Sequence, residues 1–141
     1  MMRIPGIAVL ALSISFACGA QTPPTSADFR GRWQITDIVG YGDISGGLPE
    51  AKNLIGKVMT ITTDRIAFGK ESCTPHRGFK VTEVETALLL DKYYGVSPAD
   101  VGLPMHTALL DSDNCTPVFR LDEHRIVFGR DGIVVRAFRI E

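Results

Sequence analysis

Cysteine, histidine and tyrosine are the residue types with most to offer chemically in this 141-residue chain, and their spacing narrows what they can do. Cys73 and Cys115 each begin a Cys-Thr-Pro triplet, while the third cysteine, Cys18, sits at the end of the apolar N-terminal stretch. Zinc ligands usually come in close pairs such as Cys-x-x-Cys or His-x-x-x-His, and only Cys73 with His76 approaches that spacing. His106 and His124 stand apart from any second ligand. Two uses of the thiols compete: a Cys73–Cys115 disulfide, and a metal site drawing on the histidines. The even number left once Cys18 is set aside favours the disulfide. That bridge closes a loop of about 40 residues and contributes about 4 kcal/mol in the chain-entropy account. No metal and no cofactor is expected.

Catalytic devices are missing from the pattern. There is no Gly-x-Ser-x-Gly, no Cys-x-x-Cys, no His-Glu-x-x-His and no phosphate loop ending in Gly-Lys-Ser/Thr. Gly40-Tyr-Gly-Asp-Ile-Ser-Gly46 is one residue too long for a dinucleotide fingerprint and has no strand–loop–helix unit around it. Asp111-Ser-Asp-Asn114 lacks the glycine and the closing glutamate of an EF-hand and reads as an ordinary turn. Acid–base work has only His106 and the carboxylates of 91–113 as candidates. The expectation is a protein that is not an enzyme.

The tyrosines point elsewhere. Five phenylalanines (68, 79, 119, 128, 138) fall in or beside strand patterns, whereas Tyr41, Tyr93 and Tyr94 all fall in stretches that read as loops. Loops on a rigid scaffold are where recognition is usually placed, and tyrosine is enriched in recognition surfaces. An equal alternative is that the rings merely cover one end of the fold. Tyr41, Asp43, Tyr93, Tyr94 and His106 form the candidate partner-binding set.

Behind these residues stands an export signal. Met1-Met2-Arg3, the apolar run from Gly6 to Phe16 and the small residues Ala17-Cys-Gly-Ala20 follow the order of a secretory signal peptide. The run is about half the ~20 residues that a spanning helix needs. Cleavage after Ala20 competes with lipidation of Cys18, which would tether the chain through a flexible linker over 21–27. Removing residues 1–20 leaves 121 residues carrying 14 Lys and Arg against 16 Asp and Glu. That balance argues against nucleic acid and against an anionic membrane surface, leaving a lipid at Cys18 as the one membrane contact. The expected location is the periplasm, or the envelope through that anchor.

Residues 28–141 read as a single all-β domain. Arg32–Thr36, Val58–Thr62, Phe79–Val84 and Val118–Leu121 alternate apolar with polar, the mark of strands with one wet face. The last quarter is a meander turning at Asp122–His124 and at Gly129–Gly132, where Asp131-Gly132 is a strong hairpin signal. An echo of it, Arg65-Ile-Ala-Phe-Gly-Lys-Glu71 against Arg125-Ile-Val-Phe-Gly-Arg-Asp131, suggests one hairpin solution used twice. Pro49–Ile55, stopped by Gly56, and Ser97–Asp100, a capping-box pattern stopped by Gly102, read as short helical turns lying on the sheet. About eight short antiparallel strands in one meander remove their edges most economically by curling into a barrel.

Gly31-Arg32-Trp33 on the first strand, with arginines in the last-strand run Val134-Val-Arg-Ala-Phe-Arg139, resembles the lipocalin and calycin arrangement, in which a first-strand Trp packs under a last-strand Arg. Strand parity puts Arg136 with Val134 and Phe138, which makes Arg136 the expected partner of Trp33 through a cation–π contact. The expected function is an exported, non-catalytic binding protein that meets a protein or cell-wall-associated partner through its loops, such as an inhibitor or immunity factor against a cell-wall-degrading enzyme. The alternative implied by the resemblance is a carrier of a small apolar ligand, and an enzyme comes third.

Overall fold

Nine strands form: β1 Gly31–Tyr41, β2 Val58–Ile61, β3 Ile66–Phe68, β4 Glu71–Cys73, β5 Lys80–Glu85, β6 His106–Asp111, β7 Val118–Arg120, β8 Arg125–Arg130 and β9 Ile133–Arg139. The computed structural model describes residues 2–3, 6, 10–14, 22–42 and 45–140, so Cys18 and Asp43 lie outside the described residues. Every pairing is antiparallel, in the order β4-β3-β2-β1-β9-β8-β7-β6-β5. The first strand therefore sits in the middle beside the last. The sheet curls into a half-barrel, because Met59, Ile61, Ile66 and Phe68 from β2 and β3 share one core with Val118, Ile126, Phe128, Ile133 and Val135 from β7–β9. Strands β4 and β5 remain as its two edges.

The echoed sequences both make hairpins, but they turn at different places. In the first, the chain turns at Gly69-Lys70, with Gly69 at φ +60°. In the second, Gly129-Arg130 stays in β8 and the turn moves two residues on, to Asp131 (φ +53°) and Gly132 (φ +76°). Two consecutive positive-φ residues suit the type I′ geometry that Asp-Gly favours, so the stronger turn signal sets the register.

The expectation of one wet face fails over β6–β9. Ile126-Val-Phe128 and Ile133-Val-Val135 are buried without interruption, since both faces are covered. On the concave side lies the core just described. On the convex side Leu109, Phe119, Val127 and Val134 pack against Leu90, Val101 and Leu103 of the segment between β5 and β6, which carries helices α2 (Thr86–Tyr94) and α3 (Pro98–Val101). A third helix, α1 (Gly47–Leu54), inserts Ala51 and Leu54 into the concave core. Helix α2 is the one long element absent from the sequence reading. Its buried stripe Thr86, Leu90 has the i, i+4 spacing of a helix face, continued by Tyr94, and Gly95 stops it at φ +69° by donating to the carbonyls of Leu90 and Asp91. The strand pattern runs into it with no break, which hides its start. Ser97, read as a cap, makes no side-chain capping bond to α3.

One end of the half-barrel is closed by a 3-10 turn, Ser26–Phe29, whose Phe29 is fully buried. The indole N–H of Trp33 donates to the Phe29 carbonyl at 2.9 Å. Above the indole lies Arg139, not Arg136, with its guanidinium 4.2 Å from the ring centre. Arg136 shares a face with Val134 and Phe138, as strand parity has it, but that face is the convex one under the helices. The concave face carries Ile133, Val135 and Ala137, and the pairing of Trp33 with Arg139 places both on it. Arg136 instead donates to Asp37 at 3.1 Å. The hydroxyl of Thr36 and then Arg136 hold the Asp37 carboxyl below its ordinary range.

Candidate functional site

The chain places most of its presented chemistry at the opposite end, where α2, the end of β1, the β8–β9 turn and the disulfide meet. Cys73 and Cys115 are bridged, their Cα atoms 5.9 Å apart. Asn114 stitches the same junction, accepting from the His76 amide at 2.8 Å and donating to the Thr74 carbonyl at 3.4 Å. These bonds tie the end of β4 to the β6–β7 loop across the open mouth. Arg130 of β8 adds an ion pair to Glu71 of β4, while its guanidinium lies 4.4 Å over the Phe68 ring.

Tyr94 is the keystone of this end. Its ring occupies the space where Gly129 lacks a side chain, since a Cβ there would lie 2.1 Å from Tyr94 Cε1. Burial pushes the Tyr94 phenol up to about 12, against a small opposing effect of the hydrogen bond with the Gly129 backbone. Gly42 closes against the same place: its amide donates to the Gly132 carbonyl at 2.6 Å, and a Cβ on it would lie 3.2 Å from the Tyr94 carbonyl oxygen. Glycine at 129 lets helix and strand approach this closely, and a side chain at 42 would press on the turn and on the end of α2.

With Tyr94 fixed, its neighbour Tyr93 is displayed. Tyr93 is 44% exposed, its ring 6.0 Å from that of Tyr94, with Lys92 Nζ 5.6 Å from its centre. A cleft lies on each side of it. One, of about 260 Å³, runs between Asp91-Lys92 and Gly42 with Gly132, and the other, of about 380 Å³, leads over Gly129 to the disulfide and Pro117. Both tyrosines, expected in a loop, close the last turn of α2 instead, and the helix is what points one inward and the other out.

The remaining candidates are dispersed. Tyr41 is the last residue of β1 rather than a loop residue, and is 45% exposed at the same end. Its pairing with Ile133 puts it on the concave face, across the sheet from Tyr93. His106 opens β6, exposed and paired with Glu85 at the Phe29 end, so it is not brought to the tyrosines. Gly42, Gly129 and Lys92 belong to the tyrosine end and were not picked out by sequence. Nothing in the local sequence marks Gly129, because its contact with Tyr94 joins residues far apart in the chain.

Two expected results follow. Replacing Gly129 by Ala expels the Tyr94 ring, so the variant should lose about 1–3 kcal/mol of unfolding free energy by overpacking and show a freely titrating tyrosine in place of the suppressed one. A Gly129→Ala protein with wild-type stability and tyrosine titration would mean that Tyr94 does not depend on this notch. For pH, the folded phenol is raised above the unfolded value near 10, so its contribution is complete below about pH 10. It is lost as pH rises toward 12, because the unfolded chain gives up the proton first. Denaturant unfolding between pH 9 and 11.5 should show a steeper loss for wild type than for Tyr94→Phe, and equal slopes would contradict the burial of the hydroxyl.

Compared with protein-family models, with curated proteins and with solved structures, the chain matches none.

Proposed function

We propose that the protein is an exported, non-catalytic binding module of the bacterial envelope that grips a protein or cell-wall-associated partner with the end carrying Tyr93 and Tyr41, as an inhibitor or immunity factor against a cell-wall-degrading enzyme would. The observation that supports it is the display of Tyr93: a large amphipathic ring held out beside its mostly buried neighbour Tyr94, with clefts along it that lead to the disulfide. A ring anchored in this way loses little side-chain entropy on binding, and aromatic anchors beside concavities carry much of the energy of protein interfaces. The lipocalin-like reading draws support from the Trp33–Arg139 stack at the closed end. Periplasmic location, with or without a lipid on Cys18, rests on the N-terminal sequence.

The test is affinity capture from envelope extract of the native organism with wild-type protein, with Tyr93→Ala and with Tyr41→Ala. A partner retained by wild type should be lost by at least tenfold on Tyr93→Ala, a hot-spot loss of about 1.4 kcal/mol or more, with the far-ultraviolet spectrum and thermal midpoint unchanged. Equal recovery by a folded Tyr93→Ala protein would refute the proposal.

A further inference from the structure

Five arginines are half-buried, and four of them are partnered. Arg125 pairs with Asp122, Arg130 with Glu71 and Arg136 with Asp37, while Arg139 donates to the carbonyls of Asp28, Arg30 and Glu123. Arg120, the last residue of β7, is the exception. Among the described residues its guanidinium makes no ion pair, and its Nε, like that of Arg130, is sealed from solvent without a hydrogen bond, but Arg130 has Glu71 to pair with. A cation drawn partly out of water with nothing to pair it is costly to maintain, and the other four show that this fold otherwise pairs them.

Arg120 lines a cleft of about 470 Å³, within the size range of small-molecule sites. Strand alternation puts Arg120 on the concave face with Val118, and Val81 and Ala108, which also line the cleft, pack on the concave core. Apolar wall comes from Val81, Ala108 and Leu121, and the Thr22–Pro24 segment forms the outer side. His106 lines the cleft with ring nitrogens able to bond an oxygen, and Glu83, opposite Ala108 on the same face as Arg120, disfavours a second negative charge. The planar fork of an arginine matches a carboxylate in two parallel bonds.

From this juxtaposition we infer that the cleft between β5–β7 and Thr22–Pro24 binds the carboxylate of a ligand with one negative charge and an apolar body, Arg120 holding the carboxylate and Val81, Ala108 and Leu121 the body. This goes beyond the partner-binding proposal and stands on different residues at the other end of the fold. Two sources share the chemistry, a free amphiphilic acid and the C-terminus of an apolar peptide.

The experiment is an amide NMR titration of the protein with four probes: decanoate, decanol, the N-acetylated peptide Ala-Val-Phe with a free C-terminus, and the same N-acetylated peptide amidated. At least one acid should shift the amides of Ala108 and Arg120 at millimolar concentration while its neutral counterpart does not, and the acid that does so identifies the source. Arg120→Met should weaken that binding about tenfold or more without lowering the thermal midpoint, because no internal bond is lost. The inference is overturned if neither acid shifts those amides, if a neutral probe binds as well as its acid, if Arg120→Met binds unchanged, or if Arg120→Met lowers the midpoint as the loss of an internal partner would.

Discussion

Replacing Cys73 and Cys115 together by serine is expected to lower the unfolding free energy by about 4 kcal/mol, the largest effect of any change outside the core. The sequence separation of 42 gives that magnitude through the entropy of the unfolded chain. The position of the bond says which part of the fold will feel it. The β3–β4 hairpin is a sheet edge of two three-residue strands, held along one side by β2. Across the mouth, the described residues tie β4 and its following loop to the rest through the disulfide, the Asn114 bonds, the exposed Arg77–Asp113 contact at 4.0 Å and the Arg130–Glu71 pair. That pair is exposed on the Glu71 side and contributes little by itself. The double variant should therefore show faster hydrogen exchange in β3 and β4 well before global unfolding, with β8 and β9 still protected. Urea unfolding of the oxidised protein and the variant measures the first effect. A difference below about 1 kcal/mol would mean that the mouth is held by something other than the bridge.

Arg139→Ala should be the next most damaging surface-accessible change, at about 3 kcal/mol, against less than about 1 kcal/mol for Arg136→Ala. Arg139 caps Trp33, and its three carbonyl acceptors lie before β1 and in the β7–β8 turn, so one side chain fastens the Phe29 turn, the Trp33 ring and the far hairpin together. Bonds from a charged donor to carbonyls contribute more than neutral ones, and a cation over an indole adds to them. Arg136 makes one ion pair with Asp37, both side chains in partial contact with water. The two variants together test which arginine holds the closed end: equal losses, or a larger one for Arg136→Ala, would restore the partner that strand parity alone selects. Trp33 fluorescence should shift to the red in Arg139→Ala as water reaches the indole.

The strand arithmetic shows why parity was insufficient. Alternation along Val134–Arg139 separates two sets of residues with certainty, since successive side chains point to opposite faces. It does not say which set is inside. Phe138 and Val134 looked like the buried set, and in a sheet covered on one side they would be. The two helices between β5 and β6 cover the convex face as well, so Val134 is buried there while Phe138, beyond their reach, stays 38% exposed. The same two-sided burial makes the uninterrupted apolar runs of β8 and β9 legible only in hindsight.

What the sequence determined by itself was local: strands where apolar and polar residues alternate, stops where glycine can take positive φ, and a pairing of Cys73 with Cys115 that follows from counting thiols. These depend on neighbours in the chain and on stoichiometry. The tertiary structure decided everything that depends on which faces meet. It turned two loop tyrosines into one mostly buried ring and one exposed ring, because the approach of α2 to Gly129 gives Tyr94 a place to go. It moved the Trp33 cap from Arg136 to Arg139, sent His106 to the far end, and left Arg120 half-buried beside a cleft with no partner of its own. Periodicity carries the order of residues along a strand, but the choice of inside and outside is made by the elements that pack against it.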